Sequence, residues 1–379
     1  YPEVAGALGI DPASREPAGF DLTDPAFRKA YFELVHRPYE EEGVDFWWID
    51  WQQGTKGRTG DLDPLWLLNH YHYLDSCRNG RRGLILSRYA GLGSHRYPLG
   101  FSGDTVVSWR SLRFQPYFTS QAANAGYTWW SHDIGGHMFN LRHDPLLYLR
   151  WLQLGCFSPV MRLHSTQHDI SKEPWNYPKA EKAAEEILRL RHRLIPYLFS
   201  FSVRTHLEGL PLCAPLYYFD SDAKAREKRF RNEYYFGEQM IVCPVTRRNG
   251  RQTLYLPRGE YFGFFDGKKY TGGVFALKSP SDSLPVFVKA GSVVPLLPPD
   301  CGNRLDFTRL TVRVYRGEGR YILYDDKGSV RFRLTKEEEG WLLRVDNHDP
   351  ACDEIAVEPV GFAEGELRVV SEDSEIEKR

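Results

Sequence analysis

Ionisable residues recur at the points where short apolar runs stop. Asp50 ends Phe46-Trp47-Trp48-Ile49, Arg88 ends Leu84-Ile85-Leu86-Ser87, and Asp104 follows Phe101-Ser102-Gly103. His132 and Asp133 follow Tyr127-Thr128-Trp129-Trp130, and Arg162 and His164 follow Ser158-Pro159-Val160-Met161. A single Asp behind a strand is usually a helix cap, but the same habit at five strand ends points to one chemical site. Cleavage of a glycoside requires two carboxyl groups astride the bond. A retaining enzyme sets them about 5–5.5 Å apart, one as nucleophile and one as acid/base. An oxocarbenium-like transition state also favours negative charge nearby. Asp50 and Asp104 lie on different predicted strands, which permits such a pair.

The elements that must position these groups alternate. Val44–Trp51 reads as a buried strand. Asp63-Pro64 then opens a helix that runs to Asn79-Gly80. Gly83–Ser87 and Gly100–Asp104 read as strands, Ser108–Ala125 as a helix and Tyr127–His132 as a further strand. Asp144–Cys156 reads as a helix, Ser158–Leu163 as strand-like, and Pro178 to about His206 as one long amphipathic helix. Repeated strand–helix units imply parallel strands with right-handed crossovers. The expected fold is α/β: a (β/α)8 TIM barrel lacking its N-terminal strands, with a doubly wound sheet as the alternative. In both, functional residues belong at the C-terminal ends of strands. Beyond about residue 207, short β-rich runs separated by Gly, Pro and Asp predict two all-β sandwich domains. The expected division is 1–207, 208–298 and 299–379, with Pro298–Asp300 as a linker.

Specific motifs add a resemblance. Phe46-Trp47-Trp48-Ile49-Asp50-Trp51-Gln52-Gln53 is similar to the nucleophile strand of glycoside hydrolase family 31, and Ser102-Gly103-Asp104-Thr105 with Ser108-Trp109 resembles its acid/base segment. Trp130-Ser131-His132-Asp133-Ile134-Gly135-Gly136 resembles the Gly-Ala-Asp-Ile-Cys-Gly-Phe loop of that family. Arg150-Trp151-Leu152-Gln153, Phe157-Ser158-Pro159, Arg162-Leu163-His164, Glu173-Pro174-Trp175 and Arg191–Leu198 match late-barrel segments in the same order. Pro285–Ser292 resembles the proximal β-domain, so the likeness runs from about residue 40 to 298.

The resemblance implies a retaining α-glycosidase acting by double displacement. Asp50 would attack the anomeric carbon, and Asp104 would protonate the leaving oxygen and then activate water. Arg88, Asp133 and His164 would hydrogen-bond the hydroxyls of the bound sugar, and Trp47, Trp51, Phe101 and Trp109 would shape the wall. Plain core packing is the competing reading for Trp47 and Trp48, and Arg162 could equally be the buried partner of a carboxylate. An α-glucosidase acting on oligosaccharides leads. An α-N-acetylgalactosaminidase, α-galactosidase or α-xylosidase, a transglucosidase, or a non-catalytic carbohydrate-binding relative remain as alternatives.

The sequence departs from the family pattern at several places. Trp51-Gln52-Gln53 replaces the usual Met-Asn-Glu, Thr105 replaces Asn, Phe101 replaces Trp, Gly100 replaces His, and His137 stands where the loop Phe is usual. These changes put the identity of the sugar in doubt more than the catalytic step. An aspartate from an earlier strand commonly binds the distal hydroxyls of glucose in this family, and that strand is expected to be absent from these 379 residues.

Composition narrows the field. The 379 residues carry a formal net charge of −1, which offers no footprint for nucleic acid or an anionic membrane. No run of about 18 apolar residues suggests a transmembrane helix. The 10 Trp, 22 Tyr and 22 Phe suit a surface that stacks on sugar rings, though large β-domains are also rich in aromatics. Six scattered cysteines without a CxxC pair fit neither a disulfide scaffold nor a zinc ribbon. They favour a cytoplasmic setting, with a secreted or periplasmic one left open. His70 with His72, and His164 with His168, are the nearest approach to metal-ligand pairs, but no HExxH accompanies them. No GxGxxG, P-loop or GxSxG elbow occurs, so no cofactor is expected. The chain opens at Tyr1 without Met and reads as part of a longer protein. A barrel missing its first strands cannot close, so residues 1–379 alone are expected to fold poorly or lack activity.

Overall fold

The computed structural model describes residues 1–50, 62–88, 91–97, 99–139, 143–166, 171–349 and 351–372. Trp51, Gln52, Gln53 and His168 lie outside the described residues. The chain divides into two compact units: Tyr1–Gly103 with Trp129–Ser131, and Asp104–Thr128 with His132–Arg379.

The first unit is built on a parallel sheet. Its strands are β1 (Trp47–Ile49), β2 (Ile85–Arg88), β3 (Gly100–Phe101) and β4 (Trp130–Ser131), in that order. The strands are shorter than the apolar runs that announced them, because pairing stops where the chain peels away into the loops that bear polar groups. The helix Pro64–Ser76 follows β1. Its N-terminus is fixed by Pro64 and by the Asp63 carboxylate, which accepts the Leu65 amide at 2.9 Å. It buries Leu65 and Leu68 with Ile49, Ile85, Leu22, Phe27 and Tyr97 in one core cluster. The helix Pro25–Ala30 and the turn before it supply Phe27 and Leu22 to that core.

The second unit holds four longer helices, Trp109–Ala122, Pro145–Cys156, Glu181–Arg193 and Ile195–Glu208. The expected single helix from Pro178 to His206 is two helices. Pro196 has no amide to donate and its ring obstructs the preceding turn, so the first helix ends at Arg193 and a new one starts at Ile195. The expected strand over Ser158–Leu163 reduces to isolated bridge residues at Val160 and Leu163, the latter paired with Ile134. Arg191 holds that segment by donating to the carbonyls of Cys156, Ser158 and Pro159 at 2.9, 2.5 and 2.8 Å.

The rest of this unit is β-structure. A six-stranded sheet has the order β5 (Cys213–Pro215), β6 (Tyr234–Phe236), β7 (Met240–Val242), β10 (Val286–Lys289), β8 (Arg251–Gly263) and β9 (Lys269–Lys278). β9 carries the apolar run Val274-Phe275-Ala276-Leu277, but all of its side chains are exposed or only partly covered. A three-stranded sheet joins β11 (Val293–Leu296), β12 (Arg309–Tyr315) and β16 (Glu354–Val360). A four-stranded sheet joins β13 (Gly319–Tyr324), β14 (Ser329–Glu337), β15 (Gly340–Asn347) and β17 (Leu367–Glu372). Pro298–Asp300 does not separate two sheets: β11 on its near side pairs with β12 on its far side. Among the described residues no helix is long and apolar enough to cross a membrane.

Candidate active site

Asp50 stands just past the last paired residue of β1, and Arg88 ends the adjacent parallel strand β2. The register Ile49–Ser87 brings the next residue of each strand side by side, and Arg88 Nε donates to Asp50 Oδ1 at 2.7 Å. The guanidinium carbon lies 5.2 Å from the centre of the Phe101 ring on β3. Trp48 meets Phe101 edge-on at 5.7 Å. Asp50 is 30% exposed and Arg88 15%, so the pair is reachable without being freely solvated.

Pleating separates the two tryptophans of β1. Side chains alternate along a strand, so Trp48 shares a face with Asp50 while Trp47 faces the other way. Trp47 donates its indole N–H to Glu40 at 2.8 Å and packs edge-on against His36. Trp48 thus shares the pleat of Asp50, and both tryptophans line a cavity with Asp50, Tyr31 and His36. Phe101 is on the Asp50 side as expected.

Gly103 explains itself through Arg88. Its φ is +67°, and a Cβ there would lie 2.6 Å from Arg88 Nη1. Glycine is the residue that allows both the left-handed turn and the close approach of the guanidinium.

In the second unit, three chain segments run alongside one another at Asp104–Val107, Asp133–Met138 and Arg162–Thr166. Isolated parallel bridges join Val106 to Met138 and Ile134 to Leu163. The amides of His137 and Met138 both donate to the Thr105 carbonyl, at 2.7 and 3.1 Å. The Ile134 amide donates to the Arg162 carbonyl at 3.1 Å and the Thr166 amide to that of His137 at 2.9 Å. Gly135 and Gly136 have φ of +95° and +82°, and a Cβ on Gly136 would meet the Val107 backbone at 2.8 Å.

This frame gathers charged and polar groups. Asp133 is fully buried and its Oδ1 accepts from Arg162 Nη2; its Oδ2 is buried with no hydrogen-bond partner among the described residues. His137 Nε2 lies 3.5 Å from Asp104 Oδ1, and the His137 ring stacks on His164 with centroids 4.5 Å apart. Burial lowers the pKa of His164 below its ordinary value, with Arg162 and His137 adding to the effect and Asp133 and Asp104 opposing it. Asp104 itself has φ +33°, a strained conformation for a residue with a side chain, of the kind that concentrates at functional sites.

Arg162 is thus the partly buried partner of a buried carboxylate, close to one of the two roles its sequence position allowed. His132, at the same strand end, is a core residue. Its Nδ1 side meets Gln115 Oε1 at 2.8 Å and its Nε2 meets the Thr119 hydroxyl at 2.7 Å, which suits one neutral tautomer. Trp109 donates to Asp144 at 3.1 Å and lies under the Arg248 guanidinium, so its indole is held in a separate cluster. Asp104, Asp133 and His137 offer ligand atoms within 4.8 Å of one another. The guanidinium on Asp133 already balances that carboxylate, and a carboxylate–imidazole pair falls short of the donor sets that hold zinc, magnesium or calcium. The grouping is better suited to hydrogen-bonding a polyhydroxylated ligand, with the orphaned Asp133 Oδ2 as an acceptor awaiting a hydroxyl.

Comparison with known proteins agrees with this chemistry. The description "Glycosyl hydrolases family 31 TIM-barrel domain" matches residues 7–201, and "Glycosyl hydrolase family 31 C-terminal domain" matches residues 209–294. An α-xylosidase of Saccharolobus solfataricus is 30% identical over 333 residues, 79% of this chain and 45% of the relative. Alpha-glucosidase 2 of Bacillus thermoamyloliquefaciens is 28% identical over 82% of this chain and 43% of its own length. Among solved structures, a family 31 dextranase of Flavobacterium johnsoniae complexed with glucose superposes with a TM-score of 0.76 at 23% identity, over 85% of this chain and 45% of that one. The chain spans less than half the length of these relatives. It belongs to glycoside hydrolase family 31, comprising sequence of the TIM-barrel domain followed by a C-terminal β-domain.

Proposed function

We propose that the protein containing this chain is a retaining α-glycosidase that hydrolyses terminal α-linked sugars, α-glucosides first among them, from oligosaccharides. In this reading the chain supplies the later strands of a (β/α)8 barrel whose first strands lie outside it. The observation that carries the reading is the Asp50–Arg88 pair at adjacent strand ends, 2.7 Å apart. A guanidinium donating to a carboxylate oxygen fixes the orientation of the group for attack.

The mechanism follows from the carboxylates. Asp50 attacks the anomeric carbon and the glycosidic bond breaks, while the Asp104 carboxyl passes its proton to the departing oxygen. Water then attacks the glycosyl–Asp50 ester, and Asp104, now ionised, takes the proton. Arg88, Asp133 and His164 bind hydroxyls of the sugar, and Trp48 and Phe101 offer apolar faces to its ring.

The test is a panel of aryl α-glycosides (glucoside, xyloside, galactoside and N-acetylgalactosaminide) offered to the intact protein beside Asp50→Ala and Asp104→Ala variants. Cleavage of one glycoside that Asp50→Ala abolishes supports the reading. Undiminished cleavage by Asp50→Ala refutes the assignment. Preference for the xyloside over the glucoside would move the substrate to the activity named for the Saccharolobus relative.

A further inference from the structure

We infer that His137 is a positioning residue for Asp104, holding one oxygen of its carboxyl so that the other faces the scissile bond. The inference rests on the reading of Asp104 as acid/base and adds a residue to it.

The geometry is specific. The backbone of His137 is clamped on both sides, its amide to the Thr105 carbonyl at 2.7 Å and its carbonyl to the Thr166 amide at 2.9 Å. Its ring is stacked on His164 at 28° between planes. Neither the chain nor the ring is therefore free to swing, and the Nε2 edge is directed at Asp104 Oδ1, 3.5 Å away. Nδ1 is buried with no partner among the described residues, so a neutral imidazole gains most by carrying its proton on Nε2, toward the carboxyl. A separation of 3.5 Å is longer than a formed hydrogen bond. Catalytic contacts of this kind are commonly long in the empty site and tighten in the complex.

The strain at Asp104 gives the contact a purpose. Asp104 has a positive φ and a carboxyl 43% exposed, so its orientation depends on the polar groups around it. An N–H donated to Oδ1 selects one orientation. Oδ2 then carries the proton to the leaving oxygen in the first step and takes one from water in the second. The donated N–H also stabilises the negative charge left on the carboxyl when the proton departs. In this role His137 acts through Asp104.

The consequence is a dependence on leaving group. Protonation matters most when the departing oxygen is a poor leaving group and little when it needs no help. In the intact protein, His137→Phe is expected to lose about 10- to 100-fold in kcat/KM on an unactivated alkyl or phenyl glycoside, a fraction of what general acid catalysis supplies. On the corresponding glycosyl fluoride the loss is expected to stay within about 3-fold, with KM little changed. His137→Gln, which keeps a donor at the same edge, is expected to recover most of the loss. His137→Leu gives a second apolar variant should the phenyl ring not be accommodated. An equal loss on both substrates, or none on either, overturns the inference. Asp104→Ala measured on the same substrates separates the two claims. A steep dependence in Asp104→Ala with a flat one in His137→Phe removes His137 alone, whereas a flat dependence in Asp104→Ala removes the acid/base assignment itself.

Discussion

A single methyl group at Gly103 tests how tightly Arg88 is aimed. Gly103→Ala places a Cβ 2.6 Å from Arg88 Nη1 and 3.0 Å from its Cζ, against 3.4 Å for ordinary contact. The backbone cannot relieve this cheaply, because φ is +67° and alanine there costs on the order of 1–2 kcal/mol by itself. The guanidinium must retreat by several tenths of an ångström, and its Nε bond to Asp50 at 2.7 Å lengthens with it. Misplacing a reacting group by ~1 Å can cost about 100-fold in rate. We therefore expect kcat/KM to fall by roughly 10- to 100-fold, through kcat more than KM, with a loss of stability on the order of 1–2 kcal/mol. Steady-state kinetics and thermal melting of the intact protein provide both numbers. An activity within about 2-fold of the parent would show that Asp50 does not depend on Arg88 for its aim, and would refute the reasoning.

Two further expectations concern the scaffold. Burial pushes the pKa of His132 down to about 3, so the folded protein holds it neutral while an unfolded chain protonates it below about 6.5. The unfolded state then binds more protons as pH falls, so the stability due to this residue is complete above about pH 6.5 and declines toward pH 3. The loss is on the order of 2 kcal/mol by pH 5. His72, pushed to about 3 by its own burial, adds a similar slope. Melting temperature against pH should fall less steeply for His132→Gln than for the parent; parallel curves would contradict the assignment. Arg150 is 4% exposed and donates to Gln153 and to the carbonyls of Ser283 and Pro280 at 2.7 and 2.6 Å, tying the helix Pro145–Cys156 to the loop before β10. Arg150→Met strands those carbonyls and should cost about 3–5 kcal/mol by chemical denaturation, with little change in the activity of the folded fraction. A cost below about 1 kcal/mol would mean that the loop re-satisfies itself.

Much of the first unit was legible because its signals are local. Asp63-Pro64 marks a helix start through its own cap, and Ile49 and Leu86 mark strands through apolar runs that end in Asp50 and Arg88. The alternation of strand and helix then forces a parallel sheet. What stayed hidden depends on pairing or on pleat. Trp47 and Trp48 are indistinguishable as letters, and only the sheet decides which one shares the face of Asp50. β9 opens on Lys269-Tyr270-Thr271-Gly272-Gly273, which does not announce a strand, and it pairs along its length with β8 beside it. The Pro298–Asp300 segment looks like a linker by composition, yet the pairing of β11 with β12 crosses it. Trp109 follows the acid/base motif in sequence, but Asp144 and Arg248 claim its indole. His137 was visible only as a departure from a family pattern, and its contact with Asp104 required the fold.

The central claim is that Asp50 forms a covalent bond to the sugar. A 2-deoxy-2-fluoro or 5-fluoro glycosyl fluoride of the preferred sugar slows both steps and lets the intermediate accumulate, so it can be mixed with the intact protein, digested and mapped by mass spectrometry. The account predicts one added glycosyl mass on the peptide bearing Asp50, absent from Asp50→Ala and lost again on incubation with an acceptor. A label on any other carboxylate, or turnover of the parent substrate with no labelled protein, would contradict it.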